Sequence, residues 1–310
     1  METIITLTMN PAIDKSARVP QVIVERKLYC NSPRFEPGGG GVNVSRAIHK
    51  LGGVSTAIFP CGGPTGEYLL ALLQQEGLAC RAIPVEGWTR ENLVVLEESS
   101  GLQFRFGMPG SPLTDKEWRN CLDALAAVDR QPAYIVASGS LPAGVPEDFY
   151  AQVARIGKGL GARVIIDTSG IPLRLALEEG VYLIKPNLRE LGELVGRELV
   201  GETSRREIVM EMVGSGQCAV VALSLGAGGV LLATVDGCVR LPTPLVPIKS
   251  KVGAGDSMVA GMVLSLARGD EVREAVRFGI AAGAAAVMTP GSELCRREDA
   301  ERLYGEMLPQ

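Results

Sequence analysis

Apolar runs and helical patterns alternate along most of the 310-residue chain. Short apolar runs predict strands at 3–8, 54–59, 133–137, 163–167, 181–185 and 218–224. Apolar residues at helical spacing predict helices at 42–51, 66–76, 115–127, 147–160, 171–179, 188–196 and 204–214. Two stretches of small and apolar residues, 258–267 and 280–288, predict buried helices. This alternation favours an α/β fold with a mostly parallel sheet and helices on both faces.

Two segments, 15–35 and 80–107, break the alternation. Polar and apolar residues alternate there, as at 92–96 and 103–106, and predict strands of a small sheet outside the main core. We expect the apolar face of that sheet to be covered or paired, because an exposed one would favour aggregation. The chain has no internal repeat, and we predict a single domain over residues 1–310.

Composition narrows the class of protein. The net charge of −4 argues against general affinity for nucleic acid. We find no signal-peptide pattern and no apolar stretch long enough to span a bilayer, so we expect a cytoplasmic protein without a membrane partner. The seven cysteines lack zinc-like spacing and are expected to be reduced. His49, the only histidine, falls on the polar side of a predicted helix, which argues against a catalytic triad or a histidine metal site.

The most informative stretch is Gly253-Ala254-Gly255-Asp256, directly before the predicted helix 258–267. It places a carboxylate in the first helical turn, where free backbone N–H groups form an anion site. A carboxylate suits a site in which a hydroxyl loses its proton while it attacks a phosphorus atom. Taken alone, the motif favours an aspartate that caps the helix and contributes about 1 kcal/mol.

A second unusual stretch has four consecutive glycines at 38–41 and opens the predicted helix 42–51. Glycines in a row cost backbone entropy, so we expect another molecule to approach the main chain closely here. Asn43 would project from the first turn of the helix toward sugar hydroxyls. A flexible linker is the alternative, but its flanks would be polar, whereas an apolar strand and a helix flank this loop.

Together, the early glycine loop with Asn43 and the late motif ending in Asp256 resemble the ribokinase/PfkB carbohydrate kinase family. Residues 6–14, Thr-Leu-Thr-Met-Asn-Pro-Ala-Ile-Asp, resemble its phosphosugar branch. Further segments that resemble this branch are 35–41, 88–90, 105–106, 108–110, 138–142 and 185–187. The resemblance covers essentially the whole chain. No Walker motif and no protein-kinase motif set is present.

The resemblance implies a ribokinase-like fold with a β-sheet lid and a homodimer formed through the lid strands. It implies ATP-dependent phosphorylation of the primary hydroxyl of fructose 6-phosphate to fructose 1,6-bisphosphate, with Mg²⁺ required. Asp256 would be the general base, and the amides of Gly253, Ala254 and Gly255 would stabilise the transferring phosphoryl group. Asp14 is the strongest candidate for the sugar, because a charged residue directly after the first apolar strand tends to face the cleft. Gly39, Gly40, Asn43 and Ser140 would also contact the sugar. Lys27, Arg90 and Arg105 lie on the two segments that predict lid strands and would form a cationic cluster for a phosphate on the substrate, although each of them alone fits a solvated surface charge better.

On the nucleotide side, the resemblance implies that Lys185 lies near the phosphates, and that Asn187 and Glu190 hold Mg²⁺ through water. Asn187 and Glu190 also fit a helix capping box, which spacing alone favours. The remaining nucleotide residues would be Ser224, Gly226, Gly229, Ser250, Val252, Ile280, Gly283 and Ala284. A simple hairpin turn into 229–234 explains the glycines at 226–229 nearly as well. Carbonyls of Ser250, Val252, Ala286 and Gly291 would bind a monovalent cation such as K⁺. The loop 289–293 is more acidic than the family pattern because of Glu293, and Ile248 stands where a polar residue is expected.

Several functions stay open at this point. Tagatose-6-phosphate kinase and 1-phosphofructokinase activities belong to the same branch, and their substrates differ in one stereocentre or in the end that carries phosphate. A non-catalytic sugar-phosphate sensor is a rival of another class, although a sensor gains nothing from a base beside a phosphate site. A dehydrogenase is disfavoured, because no G-x-G-x-x-G motif follows the first strand.

Overall fold

A computed structural model describes residues 2–128 and 131–307 of the chain. Its strands are β1 (Ile4–Leu7), β2 (Ala12–Val19), β3 (Arg34–Gly38), β4 (Thr56–Cys61), β5 (Ala79–Pro84), β6 (Arg90–Glu97), β7 (Gln103–Phe106), β8 (Tyr134–Ser138), β9 (Arg163–Asp167), β10 (Val181–Ile184), β11 (Cys218–Ser224), β12 (Val230–Thr234) and β13 (Gly237–Leu241). Its helices are α1 (Gly40–Lys50), α2 (Gly63–Gln75), α3 (Asp115–Ala126), α4 (Phe149–Gly159), α5 (Gly170–Glu178), α6 (Leu188–Val195), α7 (Gly201–Gly214), α8 (Ala254–Arg268), α9 (Val272–Val287) and α10 (Arg297–Met307).

Nine strands form the main sheet, in the order β13-β12-β11-β10-β9-β8-β1-β4-β5. The seven strands from β11 to β5 pair in parallel, and β12 and β13 continue the sheet antiparallel at one edge. Strands β1 and β8 are buried along their whole length, as expected for parallel strands covered on both faces. The prediction of a mostly parallel α/β sheet is therefore confirmed.

Helices pack on both faces of this sheet. One face carries α1, α8, α9 and α10, which bury a core that includes Val259 and Ile280. The other face carries α3 to α7 around a core that includes Phe149 and Val209. A third, smaller core lies between α2 and β4, and Ile13 of β2 reaches into it. No helix in the described part of the chain is long and apolar enough to cross a membrane.

The small sheet has the order β3-β2-β6-β7 and stands apart from the main sheet, as predicted. Its predicted boundaries were wrong in two places. The strand at 79–84 is an edge strand of the main sheet, paired with β4. Only Ile83 of that strand is buried. Its alternation of polar and apolar residues is therefore the same as that expected for a strand of the lid. Within 15–35, pairing covers only β2 and β3, and residues 20–33 between them form no strand.

The register of the small sheet separates two faces. Asp14, Asn92 and, one row along, Arg105 lie on one face, because Asp14 pairs with Asn92 and Val94 pairs with Arg105. The other face carries a row of apolar residues. Its members are Phe35, Leu93, Val95, Phe104 and Phe106.

Other elements differ from the predictions at their ends. Helix α9 begins at Val272, eight residues before the predicted apolar stretch, because its first two turns are partly exposed and carry charges. Helix α10 and the β12–β13 hairpin were not predicted. Only Ala300 and Leu303 of α10 and only Leu241 of β13 are buried, which weakens the periodic signal of these two elements, whereas β12 is buried from Val230 to Ala233.

Candidate active site

Asp256 lies in the first turn of α8, after Gly253, whose φ of 72° lets the chain enter the helix in the left-handed region. The Asp256 carboxylate caps no helix amide. Its side-chain hydrogen bond among the described residues comes from Nδ2 of Asn43 at 2.9 Å. The amides of Ala254 and Gly255 stand in the first turn, where the helix offers them no acceptor. The capping alternative is therefore not what the structure shows for Asp256.

The surroundings of Asp256 favour its protonated form more than water does. Burial raises its pKa from 3.8 to about 6, with a further contribution from the charge of Asp167. The hydrogen bond from Asn43 and the charge of Lys185 act in the opposite direction. A carboxylate with a pKa near 6 accepts a proton more readily than an ordinary aspartate and remains mostly ionised at neutral pH.

The glycine loop lies over the carboxyl ends of β1 and β8, where open parallel sheets bind ligands. A Cβ on Gly40 would collide with Ser138 Oγ, and one on Gly41 would lie 2.5 Å from the Leu7 carbonyl oxygen. Gly39 has a φ of 104°, and a Cβ there would lie 2.9 Å from Thr8 Cγ2. We predicted from the sequence that the close approach of another molecule requires these glycines. Neighbouring parts of the protein itself already require three of them, at 39, 40 and 41.

Lys185 follows β10 and is 7% exposed. Its Nζ lies 3.3 Å from Asp167 Oδ1, at the end of the neighbouring strand β9. Burial lowers the pKa of Lys185, but the carboxylates of Asp167, Glu190 and Asp256 outweigh burial, so the net shift of the pKa is upward. Lys185 is thus a fixed cation directly beside Gly255 and the first turn of α8.

Asn187 and Glu190 form a complete capping box on α6. Asn187 Oδ1 accepts from the Glu190 amide at 2.9 Å, and Glu190 Oε2 accepts from the Asn187 amide at 3.0 Å. The helix capping box that the spacing of Asn187 and Glu190 favoured is therefore present. It leaves Glu190 Oε1 without a protein donor among the described residues, so a role near a metal remains a prediction.

The other predicted nucleotide residues fall into two places. Ser224 ends β11, and its amide and hydroxyl both donate to the Pro186 carbonyl, at 2.9 and 3.2 Å. Gly226 and Gly229 form the turn into β12 with positive φ, so this stretch is also the hairpin turn considered as its alternative. The others lie before α8 or within α9. Ser250 and Val252 precede α8, and Ile280, Gly283 and Ala284 belong to α9.

The loop proposed to bind a monovalent cation is held tightly by its own hydrogen bonds. The Ala286 carbonyl accepts from the amide and the hydroxyl of Thr289, at 3.1 and 2.8 Å. The Ser250 amide donates to the Val287 carbonyl at 3.3 Å. Gly291 has a φ of 62° and packs beside Glu36 of the lid.

Asp14 lies within lid strand β2, and not directly after β1 as the sequence argument assumed. Residues 8–11 separate it from β1, so it reaches the site from the lid and not from the sheet edge. Its Oδ1 accepts from Asn92 Nδ2 at 2.8 Å. A Cβ on Gly38 would lie 2.5 Å from its Oδ2, so glycine at 38 makes room for this carboxylate.

The three predicted cations are not assembled into one cluster. Arg90 is partly buried at the base of the lid and donates to the carbonyls of Asn10 and Met108, both at 3.0 Å. Arg105 is exposed on the same lid face as Asp14. Lys27 lies in the exposed stretch between β2 and β3, with its Nζ 5.2 Å from the centre of the Tyr29 ring. Ser140 is exposed and accepts from Asn10 at 3.1 Å.

The model of the pfkB family carbohydrate kinases matches residues 4–299. The chain belongs to this family. It is 44% identical over 305 residues to the ATP-dependent 6-phosphofructokinase isozyme 2 of Escherichia coli K12, covering 98% of each chain. It is 46% identical over 301 residues to the protein of the same name from Mycobacterium tuberculosis H37Rv, covering 97% of this chain and 88% of that one.

Solved structures agree with this PfkB assignment. The structure of Escherichia coli phosphofructokinase-2 in complex with potassium has a TM-score of 0.95 and 44% identity over 99% of both chains. The complex of that enzyme with fructose-6-phosphate has a TM-score of 0.94 at 43% identity. A third structure of it is described as a tetrameric inhibited form. The ribokinase-like fold and a phosphotransferase with an alcohol acceptor are thereby confirmed, and a dehydrogenase is excluded.

Sequence reasoning missed three polar residues that shape this PfkB site. Asp167 ends a buried strand and could have been found by that position alone. Asn92 orients Asp14, but it lies within an alternating strand that gives no signal of its own. Arg46 lies on α1, where its charge suggests a solvated position, yet it is 2% exposed.

Several polar groups converge on one carboxylate. Asn43 donates to Asp256, and the charges of Asp167, Lys185 and Asp14 all act on its pKa. First-turn amides of α8 beside this carboxylate are free to bind an anion. Within the described residues, no group of three or more His, Cys, Asp or Glu side chains could hold a metal directly.

Proposed function

We propose that the protein transfers the terminal phosphoryl group of ATP to the primary hydroxyl of fructose 6-phosphate, giving fructose 1,6-bisphosphate. The observation that carries the proposal is Asp256, which stands among first-turn helix amides and is oriented by Asn43 at 2.9 Å. The identity to 6-phosphofructokinases over nearly the whole chain supports the choice of sugar phosphate. The whole chain acts as a single kinase domain.

In this proposal, Asp256 accepts the proton of the attacking hydroxyl as the O–P bond forms. Asp14 and Asn43 bind sugar hydroxyls, with Gly39, Gly40 and Ser140 at the same side of the site. The amides of Gly253, Ala254 and Gly255 stabilise the charge of the transferring group. Lys185 neutralises charge on the nucleotide phosphates as the leaving group departs.

Two metal ions belong to the proposal. Mg²⁺ neutralises charge on the phosphates of ATP, and Glu190 with Asn187 would hold it through water. The free Glu190 Oε1 fits this role, because Mg²⁺ usually keeps several waters and few protein ligands. A monovalent cation would use carbonyls near Ser250, Val252 and Gly291. The Ala286 carbonyl fits that ion poorly, since it already accepts two hydrogen bonds.

The proposed assembly is a homodimer formed by the apolar lid face. Phe106 is 48% exposed on that face and pairs with Leu93, while Val95 pairs with Phe104 in the next row of the same face. A second copy would cover them. Val95→Asp should shift the protein to monomers in analytical ultracentrifugation, while Val235→Asp, at an 86% exposed hairpin position, should not. A Val95→Asp variant that keeps the wild-type mass would reject this interface.

Turnover on a panel of sugars with MgATP tests the main proposal. We expect the highest kcat/KM for fructose 6-phosphate, with fructose 1,6-bisphosphate identified as the product by NMR. Preference for tagatose 6-phosphate or fructose 1-phosphate would assign the protein to another activity of the branch. Binding of a phosphosugar without any turnover would favour the sensor.

A further inference from the structure

A buried arginine stands behind Asn43 on helix α1. Arg46 is 2% exposed, and its Nε and Nη2 bind both carboxylate oxygens of Glu76, directly after α2, at 2.7–3.1 Å. This ion pair fixes the plane of the guanidinium group. The remaining nitrogen, Nη1, points into the site and donates to the Pro37 carbonyl at 2.8 Å and to Asn43 Oδ1 at 3.4 Å.

The side-chain amide of Asn43 is therefore held between a cation and an anion. Its carbonyl oxygen faces Arg46, and its NH₂ group donates to Asp256. Because Arg46 offers only donors and the Asp256 carboxylate offers only acceptors, the opposite amide orientation would be unfavourable at both ends. Asn43 is 5% exposed, so water offers it little alternative.

The same guanidinium group contacts the loop after α9 and, through that loop, lid strand β3. Nη1 donates to the Ser292 carbonyl at 3.4 Å, in the loop after α9. The Ser292 hydroxyl and amide in turn donate to Glu36 of lid strand β3, at 2.8 and 3.2 Å. Arg46 thus lies where the lid, helix α1 and the loop on the nucleotide side meet.

We infer that Arg46 is a positioning residue, which sets the orientation of Asn43 and through it the hydrogen bond to the catalytic carboxylate of Asp256. This inference rests on the proposed function for the role of Asp256, but the geometry it describes does not depend on the substrate. The hydrogen-bonding groups of Arg46 are taken up by Glu76, Pro37, Asn43 and Ser292, so we do not place it among the residues that contact the substrates.

Loss of Arg46 should change the pKa of Asp256. The other charged groups that face Asp256 are Asp167 on β9, Lys185 after β10 and Asp14 on β2, and the substitution leaves all three in place. The substitution removes the charge of Arg46 and leaves the charge of Glu76, its ion-pair partner. The hydrogen bond from Asn43 lowers the pKa of Asp256, so an unoriented Asn43 should allow that pKa to rise.

The test is a ¹³C-carboxyl NMR titration of Asp256 in the ligand-free full chain, with the resonance assigned from Asp256→Asn. Arg46→Met should move the midpoint upward by on the order of half to one pH unit, and should move the acidic limb of kcat in the same direction. Arg277→Met removes another partly buried Arg–Glu pair, with Glu274 on α9, and controls for loss of stability alone. It should leave both midpoints unchanged.

A midpoint in Arg46→Met equal to that of the wild type would overturn the inference and leave Arg46 a structural ion pair. If Arg46→Met fails to fold, the double variant Arg46→Met/Glu76→Leu removes both charges of the pair and supports the same titration. The proposed function fails separately, through absent turnover by the wild-type protein, and the NMR midpoint still decides the role of Arg46.

Discussion

Asn43 and Asp256 are 213 residues apart in sequence, and their side chains are joined by a hydrogen bond of 2.9 Å. The bond connects the first turn of α1 with the first turn of α8. Two helices that begin at glycine-rich loops thus direct their amino ends at one point. The hydrogen bond from Asn43 and the charge of Lys185 both favour the ionised form of Asp256, which is the form that can accept a proton.

The first prediction concerns Asp256 as the base. Asp256→Asn keeps the shape of the side chain and can still accept from Asn43, so we expect both substrates to bind nearly as before. Turnover should fall by about 10² to 10⁴, the usual contribution of a positioned general base. Steady-state kinetics with substrate binding by calorimetry checks this. Turnover close to that of the wild type would show that Asp256 is not the base.

The second prediction concerns pH and stability. The pKa of Asp256 is about 6 in the folded protein, above its ordinary value of 3.8, so its ionised form destabilises the fold. That cost is complete above pH 6 and disappears as the pH falls toward 3.8. Asp256→Asn should therefore increase the free energy of unfolding by at most about 3 kcal/mol at pH 7.5, and by much less at pH 4.

Urea denaturation of both proteins at the two pH values checks this difference. A gain in stability that is the same at pH 4 and pH 7.5 would place its origin outside the titration of Asp256. The same pKa predicts that kcat falls as the pH drops below about 6, because a protonated Asp256 cannot accept the proton of the substrate hydroxyl.

Patterns within one element could be predicted from the sequence, and contacts between distant elements could not. The strands of the parallel sheet are apolar on both faces, so runs such as 133–137 predicted β8 closely. The turn from Gly253 into α8 could be predicted equally well, because a glycine followed by a run of small residues fits few structures other than the start of a buried helix. These local signals placed Asp256 and Lys185 correctly at the ends of their elements.

The predictions that failed depend on burial. A charged residue in a helical pattern does not show by itself whether its side chain is buried. Arg46 has the sequence character of a surface residue, and only its pairing with Glu76 makes its burial possible. The strand at 79–84 has the same one-sided pattern in a sheet edge as it would have in a lid. Asp14 was placed at the end of β1, because the residue types do not show where the connection between β1 and β2 ends.

The third prediction concerns Glu190 and Mg²⁺. Glu190→Gln keeps an acceptor for the Asn187 amide, so the capping box can persist while the charge is lost. We expect a higher Mg²⁺ requirement and lower turnover, with the KM for fructose 6-phosphate little changed. Glu117→Gln makes the same change in the capping box of α3, which lies on the edge of the sheet away from Lys185, and should affect stability alone. Identical Mg²⁺ titrations for Glu190→Gln and the wild type would leave Glu190 a structural residue.

The last prediction concerns the phosphate of the sugar. Arg90 is partly buried and donates to the carbonyls of Asn10 and Met108 and to Asn92 Oδ1. Among the described residues, these contacts leave one N–H of Nη2 free, and we expect it to donate to the phosphate of the sugar. A charge-assisted contact of this kind contributes about 1.5–3 kcal/mol, so Arg90→Ala should raise the KM for fructose 6-phosphate by roughly ten- to a hundred-fold. The KM for ATP should stay nearly constant. Arg18→Ala, at an exposed position of lid strand β2, should change neither constant.

The substrate panel separates this role from a general effect on the lid. Asp14→Ala should weaken every sugar, because hydroxyl contacts do not depend on the phosphate, whereas Arg90→Ala should leave the poor turnover of free fructose unchanged. If the wild-type protein used free fructose as efficiently as fructose 6-phosphate, Arg90 and Arg105 would have no phosphate to bind. The specificity would then rest on Asp14 and Asn43 alone, and the assignment to phosphosugars would be wrong.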